Sequence, residues 1–208
     1  MTFPSLELER ELLQLHGSII GLDEVGRGAL AGPVAVGAFY FTAEQLVEMP
    51  EGLRDSKLIA EGKRPLVSER VEAWGSSAVG MASALEIEEI GITKALALAA
   101  RRALANLSKP GLILLDGSHN WLGNELGPVR IQTKADRDCG SVAAASVVAK
   151  VQRDELMTSL EQHYPQYGFA KNKGYSSPTH IAALREHGPS SEHRTSWLGK
   201  ILATDMLF

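Results

Sequence analysis

The chain has one cysteine, Cys139, among its 208 residues. An intramolecular disulfide is therefore excluded, which suits a reducing compartment. No apolar run approaches the roughly 20 residues of a membrane-spanning helix. The N-terminus, MTFPSLELERELLQLHG, carries Glu and Arg where a signal peptide needs an unbroken apolar stretch. A cytoplasmic monomer with no membrane partner is expected. An excess of basic charge is missing as well: 21 Lys and Arg stand against 25 Asp and Glu, a formal net charge of -4. That balance does not announce a nucleic-acid binder, yet phosphate recognition needs a local basic surface and not a basic average. The six histidines are scattered, so no zinc site is expected. There is no internal repeat and no low-complexity segment.

What is present is a core. Hydrophobic residues make up 44% and charged residues 22%, the composition of a soluble globular chain of one domain with room for a small appended lobe. Leu6 to Leu15 reads as a short amphipathic helix. SIIGLDEV (18–25) is a β-branched strand running into acids, GRGALAGP (26–33) a glycine-rich turn, and PVAVGAFYF (33–41) a second strand antiparallel to the first. Helical spacing covers 61–75 and 86–107. GLILLD (111–116) and VRIQTKA (129–135) are further strands. A long helix with a face of small residues follows over 141–164, and a shorter one over 177–188, with Ser176 or Ser177 as cap and Gly188 as stop. Strands first and then strands alternating with helices predict an α/β fold: a mixed central sheet flanked by helices. The polar region 166–208 reads as a small C-terminal helical extension on the main domain, 1–165.

Carboxylates stand at or just past strand ends in three places: Asp23 and Glu24, Asp116, and Asp136. A sheet fixes positions while its loops leave access, so strand ends suit functional groups. Taken singly, each acid reads as readily as a solvated loop residue or a helix cap. Together they cannot all stay ionised without a cation. Hard oxygen ligands with no His/Cys cluster favour Mg²⁺ or Mn²⁺. Two such ions would suit displacement at phosphorus. One difficulty is that adjacent strand residues face opposite ways, so a shared site for Asp23 and Glu24 requires a bend, which Gly26 and Gly28 would supply.

The Gly26-Arg27-Gly28 turn offers unobstructed backbone groups that could meet a 2′-hydroxyl; the alternative is a tight structural turn with Arg27 paired to a nearby acid. In YGFAKNKGYSSPTH (167–180), lysines and aromatics interleave, an arrangement suited to phosphate contact and stacking, or else a solvated loop with its aromatics turned inward.

These segments, GLDEVGRGALAGPV (21–34), DSK (55–57), LLDG (114–117), KAD (134–136), SVAAASVVAKVQRD (141–154) and YGFAKNKGY (167–175), run in order along nearly the whole chain, and together they resemble ribonuclease HII, the type 2 ribonuclease H. The resemblance implies a ribonuclease H-like fold with a small C-terminal helical part. It implies Mg²⁺- or Mn²⁺-dependent hydrolysis of RNA–DNA hybrids and cleavage 5′ of ribonucleotides in duplex DNA, leaving 3′-hydroxyl and 5′-phosphate ends. It assigns Asp23, Glu24, Asp116 and Asp136 as metal-binding catalytic acids. Gly26, Arg27 and Gly28 would recognise the 2′-hydroxyl, Tyr175 would stack on the deoxyribose just 3′ of it, and Lys57 and Lys150 would contact phosphates. A non-catalytic hybrid- or DNA-binding module of the same fold is the alternative.

The chain departs from the family at Ala29, where proline is frequent, and at Ala135, where glycine is common. After DSK it continues LIAEGKR and leaves the usual pattern. Asp138 competes with Asp136 for the fourth acid, and the KAD motif favours Asp136. The sister type, ribonuclease HIII, generally carries an extra N-terminal domain for which there is no room before residue 18. Cys139 reads as a packed small residue, Trp74, Trp121 and Trp197 as packing residues, and His187 and His193 as surface residues. The tail ATDMLF (203–208) loosely resembles peptides that dock on the bacterial sliding clamp, without the leading glutamine.

Overall fold

The computed structural model of the chain describes residues 3–123 and 125–202. The tail read as a clamp-docking peptide lies outside them. Five strands form one sheet: β1 (Ile19–Val25), β2 (Val34–Phe41), β3 (Ser77–Ala82), β4 (Leu112–Asp116) and β5 (Val129–Gln132), in the order β3-β2-β1-β4-β5. β1 pairs antiparallel with β2, and β2 with β3; β1 and β4, and then β4 and β5, run parallel. The sheet is mixed, as expected.

The helices are α1 (Glu7–His16), α2 (Arg64–Trp74), α3 (Ala84–Ile90), α4 (Ile92–Leu107), α5 (Ala135–Asp138), α6 (Gly140–Leu160), α7 (Phe169–Asn172), α8 (Pro178–His187) and α9 (Gly199–Leu202). The helix expected over 86–107 is two helices, because Gly91 at φ 78° ends α3 and starts α4. The strand expected over 129–135 stops at Gln132, and the chain then turns into α5. β3 was not legible as a strand: SAVGMA has small residues and no alternation of apolar with polar. Its outer edge is closed by side chains of α4, with Arg102 donating to the Met81 carbonyl (2.7 Å) and Asn106 to that of Val79 (3.3 Å), which removes a free edge.

Helix α6 covers one face of the sheet. Its small residues, including Ala143, Ala144, Ala145 and Ala149, are fully buried and let its backbone lie against β1 and β2. The approach is closest at Gly37, where a Cβ would stand 2.1 Å from the Ala145 carbonyl oxygen. The start of α6 is capped from a distance: the buried Glu9 of α1 accepts from the Ser141 N–H and hydroxyl, both at 2.8 Å, satisfying donors that a helix start leaves free. Helix α4 covers the opposite face with Leu96, Ala99, Ala100 and Ala103.

A third apolar cluster joins the start and the end of the chain. Leu30, Ala31 and Met157 pack with Tyr167, Phe169, Leu184 and Leu198. Helix α8 begins at the N-cap Ser177, whose hydroxyl accepts from the His180 N–H, and ends at Gly188, where the sequence placed its cap and stop.

Candidate active site

Because β1 and β4 are parallel and pair through Leu22↔Leu115, their next residues, Asp23 and Asp116, sit side by side at the same end of the sheet. Alternation places both on the α6 face, with Gly21 and Leu114 behind them. Asp23 is buried. Burial raises its pKa well above the usual carboxylate range, and the charges of Glu24 and Asp116 push the same way; hydrogen bonding from Ser146 and the charge of Lys57 oppose them. The Ser146 hydroxyl also meets that of Ser56 at 2.9 Å, which ties the DSK segment to α6.

Asp116 builds the position of Asp136. Its Oδ1 accepts from the backbone N–H of Ala135 (2.7 Å) and of Asp136 (3.4 Å). That caps α5, a single turn entered through Lys134 at φ 61°. Asp116 is raised by burial and then by the charge of Asp136, with Glu24 adding to it. Asp138 is exposed, whereas Asp136 is buried and meets Lys57 Nζ at 3.2 Å. Of the two, Asp136 is the one that stands against Asp116.

The bend expected at Asp23-Glu24 does not occur there. β1 stays in register with β2 through Glu24↔Val36 and Val25↔Ala35, and the chain turns only at Gly26, φ 80°. Glu24 thus leaves β1 on the face opposite Asp23. It reaches the cluster by charge, since it raises both Asp23 and Asp116, and its Oε1 accepts from Arg27 Nη1 at 3.3 Å.

Lys57 was expected at a phosphate. Its side chain is exposed and its ammonium stands 3.2 Å from Asp136 and 3.8 Å from Asp55, where partial burial lowers its pKa and the charges of Asp23, Asp55 and Asp136 outweigh that and raise it. A cation at the open side of the carboxylate cluster eases the repulsion among the acids. Among the described residues no three His, Cys, Asp or Glu side chains stand in a ready-made metal cage. The donor set nevertheless fits a hard divalent ion: carboxylate oxygens only, with Asp23 and Asp116 raised by burial and by neighbouring acids, and Lys57 providing partial neutralisation.

The other expected contacts divide. Tyr167 and Phe169 are buried and stacked on each other, with ring centroids 5.4 Å apart, so these aromatics turn inward. Lys173 is buried and pairs with Glu61 at 3.1 Å. Lys150 donates to Asp154 at 2.6 Å and lies 5.8 Å from the Tyr175 ring. Tyr175 stays half-buried at the surface, backed by the Arg153 guanidinium at 5.4 Å. Cys139 is buried, and burial pushes its thiol up to about 12, which leaves it inert.

The glycine turn and the KGY segment meet. Leu30 and Ala31 N–H donate to the Gly174 carbonyl (2.8 and 3.2 Å). Two fully buried arginines brace the junction. Arg153 donates to the carbonyls of Pro33, Lys173 and Ala31, and Arg194 to those of Gly26, Arg27 and Gly32. Sequence reading missed both, because backbone carbonyls carry no residue-type signal. It also placed His193 at the surface. His193 is buried, its Nε2 3.0 Å from that of His180.

The family model described as Ribonuclease HII matches residues 20–200. A protein named ribonuclease HII from Streptomyces avermitilis is 48% identical over 198 residues, covering 93% of this chain and 83% of that one. Among solved structures, the PCNA:RNase HII complex from Archaeoglobus fulgidus superposes with a TM-score of 0.73 at 26% identity, over 86% of this chain and 94% of that one. Bst-RNase HIII in complex with Mn²⁺ does so with a TM-score of 0.62 at 23% identity, over 82% and 63%, a likeness of fold.

Proposed function

The chain belongs to the ribonuclease HII family, and from that membership we propose that it hydrolyses the RNA strand of RNA–DNA hybrids and cuts 5′ of ribonucleotides embedded in duplex DNA, leaving 3′-hydroxyl and 5′-phosphate ends. The observation that carries the reading is Asp23 beside Asp116 at the common end of β1 and β4, with Asp136 held against Asp116 on α5 and Glu24 close enough to act on both by charge, next in sequence to a glycine turn. Asp23, Glu24, Asp116 and Asp136 would hold Mg²⁺ or Mn²⁺; the fold relative with Mn²⁺ supports the choice of ion. When bound, such ions supply Lewis-acid activation of water and neutralise charge at phosphorus.

The protein's own residues prepare the site. The sheet fixes Asp23 beside Asp116, and Asp116 fixes the helical turn that carries Asp136. Lys57 eases the repulsion among the acids by charge, and its exposed ammonium would contact the substrate phosphate. Gly26, Arg27 and Gly28 would lie along the ribose, with Tyr175 stacking on the next sugar and Lys150 behind it. The segment 166–208 would complete the binding face. The Archaeoglobus neighbour is solved with PCNA; a clamp contact here would use residues 203–208 and rests on their sequence alone.

The test is direct. Asp23→Asn or Asp116→Asn should abolish cleavage while hybrid binding persists, a loss larger than the roughly 10–100-fold typical when only an outer partner of a metal ligand is removed. Full Mg²⁺-dependent activity in either variant would sink the ligand assignment. Binding without cleavage in the wild-type chain, unchanged by EDTA, would instead favour a non-catalytic module.

A further inference from the structure

Arg194 is a fully buried cation. Its side chain is 0% exposed and makes no salt bridge among the described residues. Its donors all go to one loop: Nη2 to the Gly26 carbonyl (2.8 Å), Nη1 to that of Arg27 (2.9 Å), and Nη2 and Nε to that of Gly32 (3.0 and 3.3 Å). The planar fork of a guanidinium can satisfy several acceptors at once; an ammonium cannot do so in the same geometry. A charge buried against neutral carbonyls is costly, and burial pushes Arg194 down to about 10, helped by the nearby charge of Arg153.

The residue is also delivered with unusual care. Residues 192–194 zip antiparallel onto 30–32: Gly32 N–H donates to the Glu192 carbonyl (2.8 Å) and Arg194 N–H to that of Leu30 (2.9 Å). Just beyond, Glu88 of α3 accepts from the Thr195 hydroxyl, the Ser196 N–H and the Ser196 hydroxyl, at 2.8 to 3.0 Å. The Trp197 ring lies 4.9 Å from the guanidinium. Three elements thus converge to place one cation beneath the Gly26-Arg27-Gly28 turn, while the opposite side of that turn is exposed at Arg27 and Gly28.

We propose that Arg194 is a positioning residue for ribose discrimination: it fixes two carbonyls of the glycine turn from inside, so that the groups facing outward are set before substrate arrives. The proposal rests on the reading that this turn meets the 2′-hydroxyl. A turn held in place loses little freedom on binding; a turn released from Arg194 must be ordered by the substrate, and that cost falls on the ribonucleotide-specific contacts.

The experiment measures binding in EDTA, by fluorescence anisotropy, to two matched duplexes: one with a single embedded ribonucleotide and one all DNA. In wild type the first binds more tightly. In Arg194→Lys and Arg194→Met this preference should fall about fivefold to tenfold, the worth of one hydrogen bond, while affinity for all-DNA duplex holds. Equal weakening on both duplexes, or an unchanged preference, would overturn the proposal and leave Arg194 a structural brace. If both variants fail to fold, Glu88→Ala releases residues 195–196 with the arginine intact; the preference should again fall, and an unchanged ratio overturns the idea. A wild-type chain with no preference and no cleavage of the ribonucleotide duplex would instead refute the underlying reading.

Discussion

At the scale of single residues, the histidine pair shows how polar groups hold the backbone at Tyr175. Ser190 N–H donates to His193 Nδ1 (2.9 Å), so that atom is an acceptor and the proton of neutral His193 sits on Nε2. His180 Nδ1 meets the Tyr175 carbonyl at 2.8 Å, so it must donate, and its Nε2 accepts from His193. The chain of bonds has one direction and ends on the backbone of Tyr175. A proton added to either ring breaks a link. Burial lowers both pKa values, His193 to about 4, where the neighbouring His180 adds to the effect. The folded state therefore binds fewer protons than the unfolded chain, and the stabilisation is complete above pH 6.5 and lost as pH falls toward 4. For His193 its size is on the order of 3 kcal/mol. Asp23 and Asp116, with raised pKa values, contribute with the opposite sign, so the difference between wild type and His193→Gln isolates the histidine. Urea titrations at pH 7 and pH 5 should show a larger loss in wild type than in the variant. Equal losses would mean that the pair already carries a proton at pH 7.

Residue chemistry also marks what could be read in advance. Acids at the ends of apolar strands stand out because burial and charge conflict there. Arg153, Arg194 and His193 do not stand out, since their partners are backbone atoms that any sequence supplies. Lys57 was legible as functional but not as a resident of the acid cluster, because only folding brings residue 57 to residue 136.

At the scale of elements, the contact of α6 with the sheet decides most of the geometry. The small-residue face of the long helix was visible in the sequence, but its counterpart was not: Gly37 sits mid-strand in β2, where a lone glycine suggests only a close approach or a bulge. The structure shows the close approach, with no Cβ tolerated within 2.1 Å of the Ala145 oxygen and 2.9 Å of its carbonyl carbon. Both are backbone atoms of α6 and cannot rotate away. Gly37→Ala should cost about 3 kcal/mol, the upper range for overpacking, and lower Tm by roughly 6–12 °C. Gly62→Ala is the control, since a Cβ there meets nothing within 4 Å. Equal melting temperatures for the two variants would show that α6 can shift at little cost. A shift that did occur would move Ser146 and, through it, Asp23, so activity should fall along with stability.

At the scale of the whole molecule, the question is whether the segment after residue 165 is a lobe or part of one unit. Its polar composition read as an appended extension, with a boundary at 165. Its contacts run deep into the main body. Phe169 and Leu184 share a core with Leu30 and Met157, Gly174 accepts two backbone bonds from the loop after the glycine turn, and Ala31 bridges His193. Arg153, from the middle of α6, bonds the Lys173 carbonyl, and Arg194 fills the loop 26–32. Removing the segment would leave a buried guanidinium without one acceptor, open an apolar cluster to water and free the turn that we place at the ribose. Each of these costs on the order of 1–3 kcal/mol, enough together to consume much of a typical domain stability of 5–15 kcal/mol. A chain ending at residue 165 should therefore fail to fold cooperatively, and the full chain should unfold in one transition. Tryptophan fluorescence reports the seam between the two parts, since Trp197 of the C-terminal segment packs against the α4-face core that contains Trp121 and lies 4.9 Å from the Arg194 guanidinium. Its urea curve should coincide with that of far-UV circular dichroism. Two separated transitions, the first carrying only the C-terminal signal, would support the boundary at 165 and mean that the C-terminal part can open without unfolding the catalytic sheet.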